Sequence, residues 1–371
     1  MLRQVVTNAK RVVIKVGSST LTGSAGHELD ESAVTALVEI VARLRQRGAE
    51  VVLVSSGAIA AGLAPLGLKV RPKDLATQQA AASVGQGRLI ASYNRAFDQH
   101  EIVSSQVLLT IDDVVRRSHY QNAQRTLFRL IQMGVVPVIN ENDSVGVSEI
   151  RFGDNDRLAA LVSHLIGADL LVLVTDVDGL YDAPPSHVGA KRISSVSDVS
   201  HLGDIEIGGV GSSGVGSGGM VTKVEAARIA TGAGVNMLLT TLGELPAALE
   251  GEDVGTLFAA RTDRKPSRLL WLAHASTPHG KLLLDSGATS AIKERGTSLL
   301  AAGVYGVEGE FIAGDTVELL SPSREVIARG LVAFDSIEIP AMLGKSTKQL
   351  AQELGPEYER ELVHRDDLVL L

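Results

Sequence analysis

The chain has 371 residues, which exceeds one typical domain and suits two. Its net charge of −8 disfavours a general polyanion-binding protein, and an aromatic content of 3% leaves few rings on which single-stranded nucleic acid could stack. The chain has no cysteine, so disulfides and thiolate metal sites are excluded and a reducing compartment is permitted. The N-terminal segment lacks the apolar stretch of a signal peptide, and no segment predicts a membrane span.

The first predicted element is a strand over residues 12–16, a β-branched run. Lys15 lies near its end and Gly17 follows, so that open backbone N–H groups and a positive charge could meet an anion there. Taken alone, the segment also fits an ordinary edge lysine before a tight turn. A helix over 30–47, capped by Asp30, and a strand over 51–54 complete a βαβ unit, which requires a parallel sheet.

The same alternation continues to residue 240. It predicts helices over 72–99, 120–133, from 152–156 to about 166, and 221–231, and strands over 102–109, 135–139, 170–174 and 235–240. The pattern is typical of an α/β fold, in which an open, mostly parallel sheet is sandwiched by helices. Because ligands bind at the carboxyl ends of such strands, we expect the loops that follow the first, second, fourth and fifth strands to converge on one cleft.

A glycine-rich loop over 208–220 is predicted to belong to the same cleft. It runs into Lys223 on the first turn of a helix, where free N–H groups and the helix dipole favour a phosphate. A flexible linker before a surface helix would have the same composition. The Walker motif is absent, which argues against a P-loop NTPase.

Carboxylates and amides cluster after the fourth and fifth predicted strands. Residues 140–143 and 153–156 supply Glu141, Asp143, Asp154 and Asp156, which could bind an ammonium group, orient lysines or hold Mg²⁺; Asp154 could instead cap the next helix. After the fifth strand, residues 175 and 176 could reach a nucleotide base or ribose. The nine histidines show no metal-ligand spacing.

The pattern changes after residue 258. We predict a catalytic domain over 1–258, a linker over 259–278 and a small β-rich domain over 279–371, with strands over 281–284, 305–307, 316–320 and 326–332. Residues 279–371 hold nine Lys and Arg against fifteen Asp and Glu, a net charge of −6. This balance argues against contacts with RNA phosphates, which require Lys and Arg.

The chain resembles the amino acid kinase family. The resemblance is carried, in the family's order, by Val-Ile-Lys-Val-Gly-Ser-Ser, Ser-Ser-Gly-Ala-Ile-Ala-Ala-Gly62, Asn-Glu-Asn-Asp143, Gly-Asp-Asn-Asp156, Thr-Asp-Val-Asp-Gly-Leu-Tyr181 and Gly-Ser-Gly-Gly-Met-Val-Thr-Lys223. The C-terminal part is similar to a PUA domain through Gly287-Ala-Thr-Ser-Ala-Ile292, Gly296-Thr-Ser-Leu-Leu300 and Val363-His-Arg-Asp-Asp367. Together the two resemblances cover essentially the whole chain.

The resemblance implies ATP-dependent phosphorylation of the side-chain carboxylate of L-glutamate, the first step of proline biosynthesis. Lys15 and Lys223 would stabilise the transferring phosphoryl group, and Asp156 would hold the two lysines in place. Glutamate would be bound by Ser56, Asp143 and Asn155. The residues implied in ATP binding are Lys15, Thr175, Asp176, Ser217, Gly218, Gly219, Met220, Val221, Thr222 and Lys223. Mg²⁺ would enter as MgATP, without a protein metal site. Ser217 and Val221 depart from the Thr and Ser expected in relatives.

The resemblance further implies a cytoplasmic homo-oligomer, dimer or tetramer, with proline as feedback inhibitor. Two alternatives stay open at this point. The first is a related kinase that acts on another carboxylate, acetylglutamate or aspartate, against which the loop at Ser56 and the attached PUA-like domain argue. The second is an RNA-binding PUA protein, against which the acidic second domain argues.

Overall fold

A computed structural model describes residues 3–22, 28–110, 113–114, 117–144, 155–183, 187, 189–199, 202, 219–261 and 278–371. The chain divides into two compact units, Met1–Arg264 and Lys265–Leu371. Each unit has its own sheet and its own hydrophobic core. Most of the predicted linker, residues 262–277, lies outside the described residues, so its limits stay a prediction.

The described residues of the first unit form ten strands. They are β1 (Arg11–Val16), β2 (Glu50–Ser55), β3 (Ser104–Leu109), β4 (Val136–Glu141), β5 (Leu170–Thr175), β6 (Leu180–Tyr181), β7 (Arg192–Ile193), β8 (Ser195–Val196), β9 (Asn236–Thr241) and β10 (Thr256–Phe258). Eight of them form one sheet in the order β3-β4-β2-β1-β5-β9-β10-β8, whereas β6 and β7 pair as a separate ribbon. Every neighbouring pair in the large sheet is parallel except β9 and β10.

Helices flank this sheet in the predicted alternation. They are α1 (Gln4–Thr7), α2 (Ser18–Leu21), α3 (Glu31–Gln46), α4 (Ala58–Leu63), α5 (Leu75–Asp98), α6 (Arg117–Gln132), α7 (Asn155–Leu165), α8 (Met220–Gly232) and α9 (Leu245–Leu249). The predicted α/β class with an open, mostly parallel sheet is confirmed. Strands β1 and β5 lie side by side in the interior of the sheet, and their apolar residues are buried on both faces, as parallel strands covered by helices require.

Several predicted boundaries were wrong, among them the start of α6, which begins at residue 117 and not 120. Strand β4 extends through Asn140 and Glu141, which pair with residues of β3, so these two residues belong to the sheet and not to the loop predicted over 140–144. Helix α5 begins at residue 75 and not 72, because the Asp74 carboxylate accepts a hydrogen bond from the Thr77 amide at 2.8 Å and caps the helix there. Strand β3 begins at residue 104 and not 102.

Helices α4 and α5 approach each other closely through two glycines. A Cβ atom on Gly62 would lie 1.9 Å from the Ala81 carbonyl oxygen, and one on Gly85 would lie 1.7 Å from the Ala58 carbonyl oxygen. Only glycine therefore permits this packing. Since α4 begins two residues after Ser56, the contact holds the start of α4 and the loop before it against α5.

The described part of the second unit, residues 278–371, forms a five-stranded sheet with two α-helices. Its strands are β11 (Gly280–Leu284), β12 (Val304–Gly309), β13 (Thr316–Leu320), β14 (Val326–Leu331) and β15 (Leu368–Leu370), in the order β12-β11-β13-β14-β15; its helices are α10 (Ser286–Arg295) and α11 (Thr347–Glu353). The predicted β-rich character is confirmed, although the sequence pattern did not predict β15 or the two helices. In neither unit does a described helix combine the length and apolarity needed to cross a membrane.

The cap of α3 gives a first testable prediction. The Asp30 carboxylate accepts hydrogen bonds from the backbone amides of Ser32 at 2.9 Å and Ala33 at 3.2 Å. We expect Asp30→Ala to lower the free energy of unfolding by about 1 kcal/mol in chemical denaturation. Asp30→Asn, which keeps a capping oxygen, should lose less, and equal losses for the two variants would contradict a capping role.

The same cap predicts a pH dependence. Its hydrogen bonds, chiefly that from the Ser32 side chain, lower the pKa of Asp30. The carboxylate therefore contributes stability above its unfolded-state pKa, and this contribution is lost as the pH falls through the folded-state value. The difference in stability between wild type and Asp30→Ala should accordingly narrow in acid.

Candidate active site

Those predicted site residues that the structure describes lie near the carboxyl ends of the central strands. Lys15 lies on β1 directly beside Val54 of β2 and Leu173 of β5, one residue before β1 ends. Because these strands are parallel, the segments that follow them leave the sheet at the same edge. Backbone hydrogen bonds join these segments: the Gly17 amide donates to the Val174 carbonyl, and the Ser56 amide donates to the Val16 carbonyl.

Two lysines share one carboxylate at this edge. The Lys15 Nζ lies 2.5 Å from the Asp156 Oδ1, and the Lys223 Nζ donates to the Asp156 Oδ2 at 3.2 Å. Exposure of the three residues is only 5%, 1% and 7% for Lys15, Asp156 and Lys223. The sequence analysis predicted that Lys15 and Lys223 lie in the same cleft. In the structure both lysines contact Asp156.

Two neighbouring helices supply the rest of this cluster. Asp156 is the second residue of α7, where the positive end of the helix dipole favours a carboxylate, and Lys223 is the fourth residue of α8. A second ion pair joins the same helices, because the Arg157 Nε donates to the Glu225 Oε2 at 2.7 Å. The N-cap residue of helix α8 is Gly219, which has no side chain that could accept hydrogen bonds from the first N–H groups of the helix.

The cluster is suited to an anion. In their ordinary ionised forms, two ammonium groups and one carboxylate carry a net charge of +1, and all three groups are buried. Buried charge is costly unless it is compensated. A phosphate oxygen placed between the two ammonium groups would add negative charge beside them, and the start of α8 could add backbone N–H donors.

A second group of polar side chains lies beside the cluster, around Asn155. The Asn155 Nδ2 is within hydrogen-bond distance of the Ser55 carbonyl (3.1 Å), the Ser56 Oγ (3.0 Å) and the Asn140 Oδ1 (2.9 Å). The Asn155 Oδ1 is buried and receives no hydrogen bond from any residue that the structure describes. A buried acceptor without a donor is rare in proteins, and at the edge of a cleft it fits a donor on a ligand.

Two further polar groups were not predicted. The Asn140 Nδ2 donates to the Gln86 Oε1 at 2.8 Å, and both side chains are buried. Asn140 belongs to a motif that the sequence analysis singled out, but no role was given to it there. Gln86 lies in the middle of α5, and no local pattern distinguishes it from a surface glutamine. Below the site, the Ser55 hydroxyl contacts the Tyr93 hydroxyl at 2.9 Å, and burial raises the pKa of Tyr93 well above its ordinary value.

The remaining predicted residues take the following places. Asp143 is half-buried in the turn after β4, and Thr175 is the buried last residue of β5, with its hydroxyl donating to the Asp176 carboxylate at 3.0 Å. Asp176 is exposed. The start of α8 holds Gly219, Met220, Val221 and Thr222, and the Thr222 Oγ1 lies 3.4 Å from the Asp156 Oδ2. Ser217, Gly218 and Asp154 lie outside the described residues.

Comparison with known families and proteins was made on the whole chain. The model of the amino acid kinase family matches residues 10–240, and the model of the PUA domain matches residues 280–354. A glutamate 5-kinase of Streptomyces avermitilis is 60% identical over 370 residues, which is 100% of this chain and 98% of the relative. A glutamate 5-kinase of Salinispora arenicola is 57% identical over 370 residues, which is 100% of both chains.

One solved structure supports the fold independently. It is a carbamate kinase from Giardia lamblia bound to AMP-PNP, with a TM-score of 0.52 and 18% sequence identity. The similarity covers 69% of this chain and 100% of that one. It supports the architecture of the first unit, because at this identity only the fold can be compared.

Proposed function

The chain belongs to the amino acid kinase family, and on this basis we propose that it transfers the γ-phosphoryl group of ATP to the side-chain carboxylate of L-glutamate. The products are ADP and L-glutamyl 5-phosphate, in the first step of proline biosynthesis. Relatives named glutamate 5-kinase match over the full length of the chain at 57–60% identity. The structural observation that carries the proposal is the pair of buried lysines held by one carboxylate, Lys15 and Lys223 on Asp156.

The proposed chemistry needs positioning and charge, and little else. A carboxylate oxygen of glutamate forms a bond to the γ-phosphorus while the bond between that phosphorus and the β–γ bridging oxygen breaks. The attacking carboxylate is already ionised at neutral pH, so no general base is required. Lys15 and Lys223 stabilise negative charge on the transferring group, and Asp156 keeps both ammonium groups at the same point.

The two substrates are assigned to opposite sides of this cluster. Ser56, Asp143 and Asn155 lie towards β2 and β4 and are proposed to bind glutamate, with the Asp143 carboxylate and the Asn155 Oδ1 as acceptors for its α-ammonium group. Thr175, Asp176 and the start of α8 lie towards β5 and β9 and are proposed to bind ATP. Mg²⁺ is proposed to enter as MgATP, where it would offset phosphate charge. Proline as feedback inhibitor and a homo-oligomeric assembly stay predictions.

A trapping experiment tests the reaction. An acyl phosphate reacts with hydroxylamine to give a hydroxamate, which forms a coloured complex with iron. The purified protein is incubated with ATP, Mg²⁺ and hydroxylamine, and with glutamate, acetylglutamate or aspartate in parallel reactions. We expect signal with glutamate that depends on ATP. Signal with acetylglutamate or aspartate alone would assign the chain to a related kinase, and absence of signal with glutamate would refute the proposal.

The substrate assignment of Asp143 gives a separate prediction. Asp143→Ala removes a negative charge that is proposed to pair with the glutamate ammonium group. A hydrogen bond to a charged group contributes roughly 1.5–3 kcal/mol, so the KM for glutamate should rise about 10- to 100-fold. The KM for ATP, measured at saturating glutamate, should stay close to that of the wild type. A change confined to the KM for ATP would contradict the assignment of Asp143 to the glutamate site.

A further inference from the structure

A buried chain of three carboxamides leads from helix α5 to the proposed glutamate site. The Gln86 Oε1 accepts a hydrogen bond from the Asn140 Nδ2 at 2.8 Å, and the Asn140 Oδ1 accepts one from the Asn155 Nδ2 at 2.9 Å. Gln86 is 8% exposed and Asn140 is 2% exposed. Hydrogen bonds of this kind inside a protein are stronger than in water, and leaving one unmade is costly.

Two backbone groups fix which end of each carboxamide faces which neighbour. The Glu141 amide lies 2.9 Å from the Asn140 Oδ1, and a backbone N–H can only donate, so the Asn140 atom that faces it must be oxygen. The Ser55 carbonyl lies 3.1 Å from the Asn155 Nδ2, and a carbonyl can only accept, so the Asn155 atom that faces it must be nitrogen. The orientation in the structure is therefore the one that satisfies both groups.

This orientation has a consequence at each end of the chain. At the inner end, the Asn140 Nδ2 is turned towards α5 and needs an acceptor there, which Gln86 supplies. At the outer end, three oxygen atoms lie within hydrogen-bond distance of the Asn155 NH₂ group and engage its two N–H donors, and the Asn155 Oδ1 is the acceptor that is left for a ligand. An ammonium group, which carries only donors, is the complementary partner.

We propose that Gln86 is a positioning residue for the α-ammonium group of the substrate, acting through Asn140 on the carboxamide of Asn155. Without an acceptor at position 86, the buried NH₂ group of Asn140 loses its partner. Rotating that carboxamide to relieve the loss would turn donor towards donor, because the Asn155 Nδ2 and the Glu141 amide both approach from the other side. Such a rotation would break the hydrogen bond between Asn140 and Asn155, and the Asn155 Oδ1 would no longer be held towards the ligand. This inference rests on the proposed function, since it assumes glutamate as substrate.

The test compares glutamate with glutarate, which has the same carboxylate chain but lacks the α-amino group. In Gln86→Met, which keeps the length of the side chain but removes its acceptor, we expect the KM for glutamate to rise on the order of tenfold. The inhibition constant of glutarate as a competitor of glutamate should change by less than about twofold, because glutarate gains nothing from the orientation of Asn155. Gln86→Glu keeps an acceptor at the same place and should raise the KM for glutamate less than Gln86→Met does.

A variant at the other end of the chain separates positioning from a general effect on the fold. In an Asn155→Ala background, Gln86→Met should cause little further change in the KM for glutamate, because both substitutions act on the same contact. Gln86→Leu provides the same comparison if Gln86→Met folds poorly. An equal loss of affinity for glutamate and glutarate, or full additivity with Asn155→Ala, would overturn the proposal. A wild-type protein that gives no hydroxamate with glutamate would refute the proposed function itself, before any variant is made.

Discussion

We expect Lys223→Met to lower kcat by about 10²–10³ and to leave a folded protein, because it removes one charge-stabilising donor from the proposed phosphoryl-transfer site. Methionine fills the volume of the lysine stem, which is 7% exposed, and adds no charge to replace the ammonium group on Asp156. The KM for glutamate should change little, because Lys223 is proposed to act on the phosphoryl group. Initial rates of ADP release at saturating ATP and glutamate measure the effect.

A cation on the same helix provides the control for this variant. Arg228 lies on α8 like Lys223 but is exposed, so Arg228→Met removes one positive charge from the helix without touching the cluster. We expect its kcat to stay within about twofold of the wild type, as exposed charges contribute little. Near-wild-type turnover in Lys223→Met, or an equal loss in Arg228→Met, would remove Lys223 from the mechanism.

Asp156→Ala should lower both activity and stability. The carboxylate is 1% exposed and lies between two buried ammonium groups, so its removal leaves two like charges close together without the carboxylate that they share. Breaking a buried ion pair in this way costs roughly 3–5 kcal/mol, which chemical denaturation would detect as a shift in midpoint. The fall in kcat should be at least about 10²-fold, because neither lysine is then held at the phosphoryl group.

The stability effect of Asp156→Ala can be separated from its effect on activity. The double variant Asp156→Ala/Lys223→Met lacks one of the two ammonium groups that contact Asp156 in the wild type. Part of the stability lost in Asp156→Ala should therefore return in the double variant, whereas activity should not. Asp156→Asn keeps the shape of the side chain and should be more stable than Asp156→Ala. Purely additive losses of stability in the double variant would show that the carboxylate and Lys223 are not energetically coupled.

The strands of the first unit that the sequence predicted best are those buried on both faces. Residues 12–16 and 170–174 are continuous apolar runs because helices cover both sides of the sheet, and such runs are recognisable without periodicity. Strands β8 and β10 have two and three residues, which is too short for any pattern to appear. The pairing of β10 with β9 and with β8 depends on the folded sheet, and the sequence pattern gave no sign of it.

The site was predictable in part for a similar reason. Lys15 lies near the end of a strand, two residues before Gly17, and Lys223 lies on the first turn of the helix that follows the glycine-rich loop. The rule that parallel strands present their loops at one edge brings the two lysines together. Asp156 contacts both lysines because of the way α7 packs against α8, which the sequence pattern does not show. The role of Asp156 was assigned from the family resemblance alone. The position of Gln86 in the site could not be predicted. Its burial depends on how the long helix α5 packs near β4, and the residues around Gln86 in the sequence show no special pattern.

The three residues of the lysine–aspartate cluster are synthesised at widely separated points of the chain, so the cluster can form only late. Lys15 lies on the first strand to leave the ribosome, Asp156 follows on α7, and Lys223 comes last, on the helix directly before β9. In the sheet, β5 lies between β1 and β9, so the pairings that bring the three residues together join distant parts of the chain. Contacts of this kind form late in folding. A nascent chain that has not yet reached β5 therefore carries Lys15 in a strand that lacks one of its two neighbours, and such an unpaired edge is prone to aggregation. From the role proposed for Lys223, we expect nascent chains that stop before α8 to have no kinase activity.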